Sequence, residues 1–300
     1  MLHDDEIRVD VITASSLIHN QFPEFVDEEI QPFHTGTDNA VFRIGLRATA
    51  RFPLRPVEPD VRADTLRHES MAMDEFADHC PVPTPRPIGI GKPGDGYPMP
   101  WAVQSWVAGV VATPNGLSTS RAFADDIANL IAALRRADTR QRQFCGQGRG
   151  GSLGDHEAWM DTCFKMSEAL LDVPKLRRLW ERFRALPPHL ALAMCHKDLI
   201  PANLLVDGER LIGVLDCGGC GPADPALDLV AAWHLFERNE RDIVRVRLGC
   251  DDVEWERGAA WAFQQAMGLV WYYLDSHPGM AELGRSTLNR ITTAPEFSSN

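Results

Sequence analysis

The chain of 300 residues, 44% of them hydrophobic, is long enough for one large or two medium domains with a buried core. Its formal net charge of -12 excludes the basic footprint that nucleic-acid binding requires, and no apolar run approaches the roughly 20 residues of a membrane span. Seven scattered cysteines argue against a disulfide framework, and the acidic start lacks the basic and then apolar pattern of a leader, so the expectation is a cytoplasmic protein with reduced thiols.

Taken in order, residues 10–25 read as a helix with Val11, Leu17, Ile18 and Phe22 on one face. Ile30–Phe33, Ala40–Gly45 and Ala48–Phe52 read as strands, with a turn of small residues at 35–39 whose amide groups either cover a phosphate chain or only close a hairpin. A helix is predicted over Arg67–Phe76. The proline-rich stretch Pro81–Pro87 is stiff and extended, because each proline fixes its own φ and pushes its predecessor out of the helical region. Strands follow near Ile88 and over Trp101–Val107, and Ala108-Gly109 looks like a hinge that ends a first domain, 1–107, before a second, 108–300.

Beyond that point the helical period dominates. Phe123, Ile127, Leu130, Ile131 and Leu134 mark one face of a helix starting near Ser120, and 140–154 reads as a polar, glycine-rich, mobile connection. Helices are predicted over Glu157–Leu171 and Pro174–Leu186, then a strand into His196, a hairpin of Leu204–Val206 with Leu211–Leu215, and a helical tail from Leu227. Cys217-Gly-Gly-Cys220 has the spacing of a redox or zinc pair, but no second pair completes a metal site, so it reads as structural.

The chemistry concentrates in Met194–Val206 and Arg210–Gly218. His196, Asp198, Asn203, Asp216 and Gly218 follow the order His-x-Asp, Asn, Asp-x-Gly of a phosphoryl-transfer site. In that template Asp198 takes the proton of the accepting hydroxyl, and Asn203 and Asp216 supply oxygen ligands for Mg2+. The competing reading is a loop and hairpin that carry surface acids.

These motifs, with Gly36-Thr-Asp-Asn39, Arg51-Phe-Pro53, Trp106-Val-Ala-Gly109 and Gly221-Pro-Ala-Asp-Pro-Ala-Leu-Asp-Leu229, resemble the aminoglycoside phosphotransferase family of the wider kinase-like group. The resemblance implies an α+β, two-lobed protein-kinase-like fold: a small N-terminal antiparallel sheet lobe and a larger, mainly helical C-terminal lobe. It implies ATP or GTP as co-substrate in the cleft and a small-molecule hydroxyl acceptor on the helical lobe. Arg51 would then be the cation that touches the nucleotide phosphates, with Glu69 holding it, and the backbone from Ser105 to Val107 would face the base. His196 would brace the catalytic loop and Asp228 would anchor it, while Asp224 is read either within that motif or as a solvent-facing helix start. Lys197 stands where the family usually has Gly, a strained choice if that position needs positive φ, and Cys217 stands where an aromatic residue is common.

The acceptor is expected to be an aminoglycoside-type antibiotic. A macrolide, sugar or amino alcohol, or a nucleotide-binding protein without transfer activity, are the alternatives. Asp251, Asp252, Glu254 and Glu256 either pair with ammonium groups of the acceptor or cap and solvate a helix start. Trp261, Phe263, Trp271, Tyr272 and Tyr273 either stack on the acceptor or fill the core.

Overall fold

The computed structural model describes residues 7–36, 38–146, 149–189 and 191–297. It divides into two compact units: the chain up to Asp78 together with Thr84–Ala108, and His79–Pro83 together with the chain from Gly109.

The first unit is built on an antiparallel sheet of β1 (Ile30–Thr35), β2 (Asn39–Ile44), β3 (Ala48–Pro53), β4 (Pro87–Gly91) and β5 (Trp101–Ser105), in the order β1-β2-β3-β5-β4. Strand β1 lies at an edge, the place where Pro32 costs no ladder bond, and its register shifts between Pro32 and His34. In β2 the period of two is clear: Ala40, Phe42 and Ile44 are buried and their neighbours are not. These residues join Phe52, Tyr97, Trp101 and Val103 in one core, where Phe52 and Trp101 stack with centroids 4.6 Å apart. Gly91 leaves room for that indole, since a Cβ there would lie 2.1 Å from the Trp101 ring.

Helix α1 (Val11–Gln21) adds Ala14, Leu17 and Ile18 to the same core. It starts at Asp10, whose carboxylate accepts from the Thr13 amide at 2.8 Å. It stops short of the predicted Phe25 because Pro23 cannot continue it, and Pro23–Phe25 forms a 3-10 turn. Helix α2 runs from Pro59 to His79, twice the predicted length. Only Leu66, Met73 and Phe76 of it are buried, a stripe too narrow to reveal its first two turns by periodicity.

In the second unit a small sheet joins β6 (Val110–Val111), β8 (Leu204–Asp207) and β9 (Arg210–Val214), while β7 (Ala193–Cys195) pairs antiparallel with β10 (Gly221–Ala223). The two-residue β6 carried no sequence signal. Helix α3 (Arg121–Arg136) begins where Ser120 Oγ accepts from the Phe123 amide at 3.2 Å, and buries Phe123, Ile127, Leu130, Ile131 and Leu134 as their spacing requires. Helices α4 (Glu157–Met166), α5 (Val173–Arg184), α6 (Val230–Leu235), α7 (Arg238–Leu248), α8 (Asp252–Tyr272) and α9 (Pro278–Thr292) complete the unit.

Helix α8 is buried from Trp255 to Gly268 save for Glu256, and α4, α5, α6 and α9 pack on it. That burial on all sides explains why its aromatics fit no single face. Trp261 and Phe263 belong to the core, whereas Trp271, Tyr272 and Tyr273 at its end are half-buried and pack edge to face on one another. No described helix is long and apolar enough to cross a membrane.

Candidate active site

Strand β7 delivers the chain to His196, and β8, β9 and β10 carry it away, so the segments 196–203 and 215–220 lie between strands that fix both their ends. His196 is buried. Its Nε2 bonds the Leu215 carbonyl oxygen at 2.8 Å, which makes Nε2 the protonated nitrogen and leaves Nδ1 to accept from the Asp198 amide at 3.2 Å. One imidazole thus ties the loop of Asp198 to the strand end that precedes Asp216.

Asp228, in the 3-10 turn Leu227–Leu229, holds the same loop from below. Its carboxylate accepts from the His196 amide at 2.9 Å and from the Lys197 amide at 2.8 Å. Burial pushes the Asp228 carboxyl up, while His196 and the two donated amides pull it back toward the charged form. Lys197 sits at φ 71°, so the position does require the left-handed region, and the Asp228 bond to its amide holds it there. Its ammonium lies 5.7 Å from the Phe144 ring centroid. Asp216 is also left-handed, at φ 57° and ψ 47°, and exposed, whereas Cys217 beside it is fully buried with its thiol 3.7 Å from the Val214 carbonyl oxygen.

The two oxygens of Asp198 differ. Oδ2 accepts from Arg149 Nη1 at 2.7 Å and from Asn203 Nδ2 at 3.3 Å, while Oδ1 is buried and has no hydrogen-bond partner. Asn203 Nδ2 also donates to the Asp198 carbonyl oxygen at 2.9 Å, which makes Oδ1 of Asn203 the atom it can turn to a cation. Among the described residues no group of three His, Cys, Asp or Glu side chains could hold a metal ion.

Arg149 was not singled out by the sequence reading, which treated 140–154 as a mobile connection. Gln147 and Gly148 lie outside the described residues, and local hydrogen bonds hold the chain that follows Arg149. His156 Nε2 meets the Gly150 carbonyl oxygen at 3.0 Å, and the Ser152 amide donates to Asp155 at 2.9 Å. The signal for this residue was an arginine set among glycines, with Gly150 and Gly151 at φ 141° and 79°.

Asp224 is buried rather than a solvent-facing helix start. Its carboxylate takes the Arg257 guanidinium, the Trp261 indole N–H at 2.7 Å and the Ala226 amide at 3.1 Å. Asp224 and Arg257 form part of the wall of a cavity of about 240 Å³, with Gln143, Phe144, Ser152 and His189. Phe144 beneath Lys197, and the Cys195 thiol 3.5 Å from the Asp224 carbonyl oxygen, place this cavity beside the loop of Asp198.

The four acids at the start of α8 are all engaged within the fold. Asp251 caps the helix through the Glu254 amide at 2.8 Å, Asp252 pairs with Arg245, Glu254 with Arg135 at 2.6 Å, and Glu256 with Arg182 at 2.6 Å. These contacts support the helix-start reading: Asp251 caps α8, and the other three acids have arginine partners.

In the first unit Arg51 lies at the middle of β3, between Val41 and Ala102, and Glu69 on α2; both are half-buried. The Ser105 amide donates to the Arg86 carbonyl oxygen and the Trp106 amide to that of Arg47, each at 2.8 Å. Two amides of the expected base-facing stretch are therefore bonded within the first unit. Thr37, in the expected phosphate-covering turn, lies outside the described residues, although Gly36 donates to Asn39 across the turn at 2.9 Å.

Residues 29–261 match the profile of a family described as the phosphotransferase enzyme family. The chain is 28% identical over 200 residues to an aminoglycoside 3'-phosphotransferase of Streptomyces fradiae, which covers 62% of this chain and 70% of that protein. Its fold is similar to the GDP complex of aminoglycoside 2'-phosphotransferase-IIIa, with a TM-score of 0.70 at 18% identity, over 95% of this chain and 99% of that one. It is also similar to macrolide 2'-phosphotransferase MphH from Brachybacterium faecium, with a TM-score of 0.63 at 18% identity, over 93% of this chain and 98% of that one.

Proposed function

The chain belongs to the phosphotransferase enzyme family, and we propose that it moves the terminal phosphate of ATP or GTP to a hydroxyl of a small molecule, with Asp198 as the base. The observation that carries this reading is the Asp198 carboxylate. It is held by Asn203 on one oxygen, on a loop braced by His196 and Asp228, and has a second oxygen that is buried without a partner. An incoming hydroxyl would donate to the carboxylate at Oδ2, the oxygen that Arg149 meets in this structure. In the reaction the acceptor oxygen bonds to the terminal phosphorus, the bond to the bridging oxygen breaks, and the acceptor proton passes to Asp198.

The donor set fits Mg2+. Asp216 and the side-chain oxygen of Asn203 are hard oxygen ligands, and magnesium is commonly held by one or two protein groups plus phosphate oxygens and water. When bound, the ion would neutralise charge on the phosphates. We assign Arg51 to the nucleotide phosphates and Glu69 to its support, so Arg51→Ala should raise the nucleotide KM far more than the acceptor KM. We place the nucleotide base against the backbone from Ser105 to Val107.

The acceptor class we propose is an aminoglycoside. The supports are the 28%-identical aminoglycoside 3'-phosphotransferase and a solved structure of similar fold whose complex holds GDP and kanamycin. The cavity beside the catalytic loop, at about 240 Å³, is smaller than the ~300–1,000 Å³ of drug-sized sites and suits part of such a molecule. A panel of aminoglycosides, macrolides and simple alcohols, read by magnesium-dependent ADP or GDP release and product mass, tests this. Phosphate on an aminoglycoside supports the full reading. Transfer only to another alcohol overturns the acceptor class, and transfer to none overturns the activity.

A further inference from the structure

We infer that Arg149 is a positioning residue that caps Asp198 while no acceptor is bound, and so withholds the base from water. The inference rests on the phosphotransferase reading. Such an enzyme holds a reactive phosphate next to a base in water, and hydrolysis follows the same course as transfer. A water oxygen bonds to the terminal phosphorus, the bond to the bridging oxygen breaks, and the water proton passes to Asp198. The products are the nucleoside diphosphate and inorganic phosphate.

The structure closes that route at both oxygens of the base. Arg149 Nη1 sits on Oδ2 at 2.7 Å, beside Asn203 Nδ2, and Oδ1 is buried. A bulk water therefore finds one oxygen occupied and the other covered. An acceptor hydroxyl held by the rest of its own molecule competes at a far higher effective concentration than free water and takes the place of the guanidinium. The strength of the contact suits this exchange. The Arg149 side chain is 45% exposed, so it regains water when it leaves, and a pair of this kind is weak enough to be displaced. The contact is also built in rather than incidental. The chain that follows Arg149 is held by His156 at Gly150 and by Asp155 at Ser152, and Gly150 and Gly151 take φ 141° and 79°, a region that other residues rarely adopt.

The test compares acceptor-free nucleotide hydrolysis and acceptor kinetics in the wild type, Arg149→Ala, Arg149→Lys and the double variant Arg149→Ala with Asp198→Asn. Arg149→Ala should raise acceptor-free hydrolysis about fivefold and lower the acceptor KM by a similar factor, the size expected of a half-exposed ion pair. The transfer kcat should stay within about twofold, since the cap acts before the acceptor arrives. Lysine, which keeps the charge without the fork, should fall between the two, and the double variant should lose the added hydrolysis. Unchanged or lower hydrolysis in folded Arg149→Ala, or a fall in kcat alone, would overturn the inference in favour of a direct role on the phosphate. Added hydrolysis that survives in the double variant would overturn it as well, and so would an acceptor-free crystal structure with Arg149 away from Asp198. Failure of the wild type to transfer phosphate to any hydroxyl is a separate result, seen before any Arg149 variant is made, and it removes the inference together with the reading beneath it.

Discussion

Two stretches of the second unit that carry acids, Asp198 to Asp228 and Asp251 to Glu256, differ in what their oxygens touch. The later stretch caps a helix and pairs with Arg245, Arg135 and Arg182. The earlier one divides its work: Asp224 and Asp228 are buried and saturated by Arg257, Trp261 and backbone amides, and Asp198 keeps a buried oxygen without a partner. An acid is a candidate for chemistry when the fold positions it and leaves part of its bonding capacity open. Charge counted along the chain does not make that distinction.

The largest expected effect on stability is at Asp224. Replacing it with Ala leaves the Arg257 guanidinium buried without its counter-charge, which should cost about 3–5 kcal/mol in urea unfolding. A cost under ~1 kcal/mol would show that this acid belongs with the exposed pairs.

His234, buried and bonded to Thr287 Oγ1 at 2.8 Å and Gln265 Oε1 at 3.2 Å, sharpens the contrast through pH. Burial lowers its pKa from 6.5 to about 4, with only a partial opposing pull from Gln265. The unfolded chain then binds a proton in this window that the folded chain refuses. The stability contribution is full above pH 6.5 and is lost as pH falls toward 4, by on the order of 3 kcal/mol. Urea unfolding at pH 7 and 4.5 should show this slope reduced in His234→Gln. Equal slopes in both proteins would rule the histidine out as its source.

Asp216→Ala should weaken magnesium-dependent nucleotide binding by about tenfold to a hundredfold in calorimetry, and unchanged affinity would refute its assignment to the metal. The smallest effects belong to the later stretch. Glu256→Gln should cost ~1 kcal/mol or less, because Arg182 is nearly half exposed, and should leave the acceptor KM unchanged. A tenfold rise in that KM would return this stretch to the acceptor site.

The difference between the stretches also marks what the sequence could reveal. His196, Asp198, Asn203 and Asp216 were readable because phosphoryl transfer restricts residue type and spacing within one short segment, and the strands around them follow from apolar runs. The sheet of the first unit was readable for the same local reasons, as the alternation in β2 illustrates. Arg149 was not, because its contact with Asp198 joins segments far apart in the chain through a loop without periodicity. The roles of Glu254 and Glu256 were hidden in the same way, since their partners Arg135 and Arg182 lie on other helices. The cap at Asp251 had a local signature in the acids that follow it. The length of α2 was hidden by a face that buries little.

The central claim is that Asp198 takes the acceptor proton and does not hold the nucleotide. Asp198→Asn keeps the size of the side chain and removes the base. With the nucleotide and magnesium at saturation and the best acceptor of the panel, its kcat should fall by about 10²–10⁴, while calorimetry finds nucleotide affinity within about threefold of the wild type. Retained transfer, or loss of nucleotide binding in step with loss of transfer, would contradict the account.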